Sequence, residues 1–288
     1  MGTVRRRTIL RGAVGGLGTV AALSACGAGE EPARGTKQPA RTVRSRYGSH
    51  PDQFGVLRLP AVATSLPTVA LLHGGFWQDD YGLDLMDDLA RAVTDLGHPT
   101  WNVEYRRLGS GGGWPETFTD VADAVGHLRS LSTQVQRNVA HEVVLLGHSA
   151  GGQLAVWGAS RTARTPGGRP RVPLRATIAL SGVLDLRTGA KEYLGGGTIQ
   201  ALMGGAPREV PEHYRLGDPT ALVPARTRVW AVHGTSDIVV PIEQSSAYVA
   251  AAREAGGRAE LVEVPGEHLD LIDPSAAAWD TIARLLHG

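Results

Sequence analysis

Residues 142–157 read EVVLLGHSAGGQLAVW. The apolar run Val143 to Leu146 enters Gly147-His148-Ser149-Ala150-Gly151 and leaves at once into a segment of helical character. A serine between two such elements is ordinarily buried and idle. Here glycines stand two residues away on each side, a spacing that suits a turn too tight for side chains at its shoulders. Strand, Gly-x-Ser-x-Gly and helix, in that order, make the nucleophile-elbow pattern, in which a strained turn pushes the serine oxygen out at the top of a sheet. The amino end of the following helix adds positive potential where an oxyanion would form. Ser149 is therefore the candidate nucleophile.

The pattern on both sides of this stretch repeats strand and helix. Apolar runs predict strands at 54–60, 68–75, 99–106, 142–148, 174–183, 228–234 and 259–266. Helical patterns lie between and after them at 84–97, 117–131, 151–161, 243–257 and 275–287; the first carries Leu85, Leu89, Ala92, Val93 and Leu96 at helical spacing. Near-continuous apolar strands alternating with helices predict an α/β fold, a mostly parallel sheet covered on both faces. Right-handed crossovers put the carboxyl ends of its parallel strands on one edge, where such sheets bind ligands. His73, Ser149, Asp237 and His268 all fall at or just after a strand end. Between Val183 and Arg226 the periodicity fades among glycines and prolines, which predicts a small cap above that edge.

A serine nucleophile needs a base, and the base an orienting acid, in the chain order serine, acid, histidine for this kind of sheet. Of the ten histidines, His268 in EVPGEHLDLID follows the last strand, where a loop can swing it over Ser149. His127 sits in a helix, His287 near the end, His98 in a turn, His148 inside the elbow, and His233 within a strand as a structural residue. Asp237 in VWAVHGTSDIVVP is the favoured acid; Asp185 in SGVLDLR is the rival, with a turn or helix-cap carboxylate as its plain reading. Asp270 is read as a local turn carboxylate and Asp273 as the cap of the last helix. In LLHGGFW, glycines leave backbone N–H groups free after a strand, so Gly75 and Phe76, with Ala150, are the candidate oxyanion donors. Phe76, Trp77, Tyr81 and Trp114 cluster near these turns and are candidates either to line a pocket or to pack the loops.

The chain has 288 residues, 42% of them hydrophobic, and a formal net charge of +1. Four arginines and no acid occupy residues 1–25, which leaves 25 positive against 28 negative charges in the rest. That balance gives no reason to expect a nucleic-acid partner. The single cysteine, Cys26, excludes an internal disulfide. It follows a basic run and an apolar stretch, Gly12 to Leu23, about half as long as a membrane-spanning helix requires. Residues 1–25 thus read as a signal peptide. Leu23-Ser24-Ala25-Cys26 resembles a bacterial lipobox, which implies lipidation of Cys26 and a membrane anchor; Arg6-Arg7-Thr8-Ile9-Leu10-Arg11 resembles a twin-arginine export signal. Residues 26–46 read as a lipidated cysteine and flexible tether, and 47–288 as the folded domain. GSGGGW, residues 109–114, lacks a following Gly-Lys-Ser/Thr and is no phosphate loop, and no His-Glu-x-x-His or paired-cysteine pattern suggests a metal.

Taken together, His73-Gly74-Gly75-Phe76-Trp77, the Gly-His-Ser-Ala-Gly-Gly elbow, SGVLDL, HGTSDIVVP and the late His268 resemble the α/β-hydrolase superfamily over about residues 54–288. Within it they are most similar to the kynurenine-formamidase and feruloyl-esterase-like branch with a His-Gly-Gly-x-Trp motif. EYRRLGSGGGWPETFTDV, residues 104–121, also resembles that branch, where it links a strand to a helix beside the active site. The resemblance implies a Ser149–Asp237–His268 triad, hydrolysis of small-molecule esters or amides through an acyl-enzyme, and no cofactor. Small carboxylic esters are the expected substrates, with an amidase or arylformamidase as the alternative and a non-catalytic ligand-binding lipoprotein as the outsider.

Overall fold

The computed structural model describes residues 41–287. The signal-like leader, Cys26 and most of the expected tether lie outside the described residues. Eight strands form one sheet: β1 (Arg41–Arg46), β2 (Phe54–Leu59), β3 (Thr68–Leu72), β4 (Thr100–Val103), β5 (Val143–His148), β6 (Leu174–Leu180), β7 (Arg228–Gly234) and β8 (Ala259–Val264). Their order is β1-β2-β4-β3-β5-β6-β7-β8. β2 is antiparallel to both neighbours, and every other adjacent pair is parallel.

Alternation along the strands assigns each face its helices. From β3, Ala70 and Leu72 join an apolar cluster with Phe118 and Leu128 of α2 (Glu116–Val135) and Leu154 and Trp157 of α3 (Ala150–Ser160). Val69 and Leu71 join the opposite cluster, with Leu89 and Val93 of α1 (Asp87–Asp95) and Ile282 and Leu286 of α8 (Trp279–His287). α7 (Glu243–Glu254) adds Tyr248 and Val249 against Val156, Ala179 and Ala231. Every residue of β5 and α3, the strand and helix around Ser149, is buried. The expected α/β fold with helices on both faces is the one observed.

The cap consists of α4 (Leu186–Lys191), α5 (Thr198–Met203), α6 (Pro211–Gly217) and short helical turns. It does not hang over the sheet as a separate lid. Leu186, Ile199, Leu202, Met203 and Tyr214 belong to the same apolar cluster as Phe118 and Trp157. Trp157 Nε1 donates to Leu216 O at 2.9 Å and Gln153 Nε2 to Gly217 O at 3.0 Å, so α3 holds the cap directly.

Several boundaries differ from the sequence reading, and three of the differences have a plain physical reason. Strand β3 stops at Leu72 because Gly75, Phe76 and Trp77 all turn to positive φ. The last helix starts at Trp279, so Asp273 does not cap it; its side chain instead accepts from the amide and hydroxyl of Ser275 in a preceding turn. Residues 41–46, assigned to the tether, form strand β1. The strand is an edge, mostly exposed, and offers no apolar run for sequence to detect. It is held by pairing with β2, by Arg44 over the Phe54 ring at 3.7 Å, and by Ser45 Oγ at 3.0 Å from His127 Nε2. Arg46 pairs with Phe54 and Arg41 with Leu59, while Gly55 pairs with Val103 and Arg58 with Thr100. β1 therefore runs in the direction of β4, and Arg41 lies at the edge away from the carboxyl ends of the parallel strands.

Removing β1 would bare the hydrogen-bonding edge of β2. A chain beginning at Tyr47 is expected to melt several degrees below one beginning at Arg41 and to aggregate sooner, by thermal denaturation with light scattering; equal melting would show that β1 contributes nothing.

Candidate active site

Ser149 follows the last residue of β5 with φ 54° and ψ −118°, a conformation non-glycine residues rarely adopt. Its neighbours over-determine it. Ser149 N donates to Leu180 O at 2.8 Å, and Ser149 O accepts from Gln153 N at 3.2 Å and Val183 N at 3.3 Å. The glycines are required by contact. A Cβ on Gly147 would lie 2.0 Å from Gly151 O, and one on Gly151 would lie 2.0 Å from Leu72 O. The turn closes only because both side chains are absent.

The loops after β7 and β8 bring Asp237 and His268 together. His268 Nδ1 donates to Asp237 Oδ2 at 2.7 Å. Asp237 Oδ1 accepts from the amides of Val239 at 2.8 Å and Val240 at 3.0 Å. Burial by itself would raise the Asp237 pKa, but the hydrogen bonds from His268 and the Val240 amide outweigh it and hold the carboxyl well below the usual carboxylate range. An ionised Asp237 fixes the proton of a neutral His268 on Nδ1 and leaves Nε2 as an acceptor. The same loop meets the elbow: His148 Nε2 donates to His268 O at 2.9 Å, and the two rings lie 4.5 Å apart. Burial holds His148 neutral, with its pKa pushed down to about 3.

The rival acid is elsewhere. Asp185 caps α4, accepting from Thr188 N at 2.9 Å and Thr188 Oγ1 at 2.7 Å. His233 is a satisfied structural residue: Nε2 donates to Val240 O at 2.9 Å, so Nδ1 accepts from Ser245 Oγ at 2.8 Å. Asp270 holds its own turn by accepting from Glu267 N at 2.7 Å.

The loop after β3 lies against the elbow, since a Cβ on Gly74 would meet Ser149 Cβ at 3.1 Å. Gly75 has φ 103° and is packed against Tyr81, whose ring would collide with any side chain there. Among the described residues, no acceptor takes the amides of Gly75, Phe76 or Ala150. Of the aromatic candidates, Trp77 is buried and donates from Nε1 to Gln153 Oε1 at 3.2 Å, so it packs the loop. Trp114 stacks on His213 and meets Phe118 edge-on. Phe76 and Tyr81 keep exposed surface, Tyr81 against Gly75 and Phe76 against Gly195 of the cap, and Trp114 is half-buried.

Sequence reasoning did not single out Glu104, Arg107 or Gln153. Glu104 and Arg107 are buried and joined at 2.6 Å behind the Gly74-Gly75 loop. Their signal was a pair of charges closing an apolar strand, VEYRR. Gln153, the one amide in a wholly buried helix, spans Trp77 and the cap.

The strand order, the elbow on β5 and the loops after β7 and β8 define an α/β-hydrolase fold. The BD-FAE family profile matches residues 57–251, and the chain belongs to the BD-FAE family. No curated protein matches it. Among solved structures, the truncated form of a carbohydrate esterase from gut microbiota is 19% identical with a TM-score of 0.72, covering 89% of this chain and 98% of that one. Esterase B from Lactobacillus rhamnosis is 19% identical with a TM-score of 0.72, covering 88% and 85%. The butyrate-bound esterase Est2 from Thermogutta terrifontis is 20% identical with a TM-score of 0.66, covering 85% and 92%.

Burial lowers the pKa of His98, His148 and His233 in the fold. Below about pH 6.5 the unfolded chain binds protons that these residues refuse, so stability falls as pH drops from there toward the folded values. Each such histidine contributes a slope of up to about 1.4 kcal/mol per pH unit. His148→Gln, which keeps a donor for His268 O, is expected to flatten the melting-temperature profile between pH 6.5 and 4. An unchanged profile would show that His148 is protonated in the fold.

Proposed function

We propose that this protein is a serine hydrolase that cleaves small carboxylic esters. The observation that carries the reading is the 2.7 Å contact of His268 Nδ1 with Asp237 Oδ2 beside the strained Ser149 turn. In this reading His268 Nε2 takes the proton from Ser149 Oγ as it attacks the ester carbonyl, and Asp237 stabilises the imidazolium that results. The N–H groups of Gly75, Phe76 and Ala150 bind the oxyanion. Collapse of the tetrahedral intermediate releases the alcohol, protonated by His268, and water then frees the acid from the acyl-enzyme by the same steps in reverse order. Ile238, 96% exposed after Asp237, and Leu269, 61% exposed after His268, offer apolar surface to an acyl or aryl group. The names of the similar solved structures, all esterases, support the same choice.

The His-Gly-Gly-x-Trp motif favours an arylformamidase as the second reading, since the same machinery serves a formyl amide. We also propose that the protein is exported and lipid-anchored through Cys26. The support is the leader, in which basic and apolar segments precede Leu23-Ser24-Ala25-Cys26. Among the described residues no helix is long and apolar enough to cross a membrane.

Release of nitrophenol from short-chain nitrophenyl esters tests the activity. Ser149→Ala and His268→Ala are expected to lower kcat by roughly a million-fold, and Asp237→Asn by about ten-thousand-fold. An N-formyl arylamide turned over faster than the esters would establish the second reading. A folded protein that neither turns over nor reacts with a fluorophosphonate at Ser149 would sink both. Metabolic labelling with a fatty-acid probe is expected to tag the full chain and to spare Cys26→Ser.

A further inference from the structure

The base of the proposed oxyanion loop contains a buried charge cluster that the reaction described above does not use. His73, which precedes Gly74, is fully buried and stacked on Tyr105 with centroids 4.3 Å apart. Its Nδ1 lies 2.7 Å from Gly74 O, and its Nε2 lies 2.9 Å from Glu104 Oε1. A carbonyl oxygen can only accept, so Nδ1 carries a proton. Glu104 also accepts from Arg107 Nη1 at 2.6 Å, from the Leu83 amide at 3.0 Å and from the Tyr105 amide at 3.1 Å. Surrounded by donors, Glu104 is an ionised acceptor, so Nε2 of His73 must carry a proton as well.

Gly74 O and Gly75 N belong to one planar trans peptide, and its N–H points opposite to its C=O. Fixing the oxygen from behind therefore aims the amide on the other side. A cationic donor at that oxygen also polarises the peptide and strengthens its N–H as a donor. The remaining contacts hold the same unit. Tyr105 Oη donates to His73 O at 2.8 Å, and Arg107 Nη1 donates to Tyr81 O at 2.6 Å, the residue packed on Gly75. Asp52 lies 3.0 Å from Arg107 Nη2 and completes a cluster of two cationic and two anionic groups.

We propose that Glu104 is a positioning residue of the oxyanion site: it keeps His73 doubly protonated, and the imidazolium fixes and polarises the Gly74–Gly75 peptide whose N–H receives the oxyanion. The inference rests on the esterase reading for its kinetic consequence but not for the charge state of His73. Nitrogen NMR of the unliganded protein with labelled histidine tests the charge directly. The expected result is an imidazolium signature at His73 near neutral pH, with protons on both nitrogens. A neutral tautomer would overturn the proposal whether or not the protein hydrolyses esters. Glu104→Gln is expected to lose the imidazolium signature and to lower kcat for a nitrophenyl ester about 10- to 100-fold, less than the roughly 100- to 1,000-fold for deleting a donor outright. KM should stay within about twofold, while a trifluoromethyl ketone, whose adduct bears the oxyanion, should weaken in step with kcat. An unchanged kcat in a folded Glu104→Gln would overturn the positioning role. If that variant fails to fold, the NMR result on the unaltered protein decides the matter.

Discussion

Much of this structure follows from one steric constraint, the contact between the Ser149 turn and the strand ends on either side of it. Gly151 leaves no room for a Cβ beside the Leu72 carbonyl, Gly147 none beside Gly151, and Gly152 only 2.8 Å to the Gly182 Cα. Strands β3, β5 and β6 thus meet the elbow at backbone contact distance. The strain of the serine, about 1–3 kcal/mol for a residue in such a region, is borne by that contact together with the buried helix α3. Every group proposed to act on a substrate reaches its place from a strand end ordered by the same packing.

Around that turn, hydrogen-bond direction does the sorting. A carboxylate at Asp237 faces Nδ1 of His268, whose Nε2 is the atom proposed to act as base, whereas a carboxylate and a carbonyl face the two nitrogens of His73 and leave neither open. His148 and His233, both neutral, give Nε2–H to backbone carbonyls and keep their neighbours in register. Four histidines within one region thereby take different parts, and each part is decided by what its ring nitrogens touch.

Sequence alone carried most of this. The elbow was legible because glycine, serine and glycine have few other reasons to sit at that spacing between a buried strand and a buried helix. Asp237 and His268 were legible because each follows an apolar strand in the required chain order. In the structure Asp237 meets His268, whereas Asp185 spends its oxygens on a helix cap. Glu104 was not legible as a functional partner, because its companions lie 31 residues back at His73 and three residues ahead at Arg107, and only sheet order brings them to one point. β1 was missed for a related reason. An edge strand exposed on most of its length needs no apolar pattern, and Arg41-Thr42-Val43-Arg44 reads like the polar segment before it.

The direction of β1 has a practical side. The first described residue, Arg41, lies on the edge away from Ser149, and β1 reaches the Ser149 edge only at Arg46. A bead, a carrier domain or a second enzyme joined directly at Arg41 meets the molecule on that edge. The edge proposed to receive substrate is left clear, and pulling on the attachment loads one peripheral strand before any residue of that edge. An immobilised form coupled through that end should thus keep its diffusion path, whereas coupling through the loops at Ile238 or Leu269 would block it.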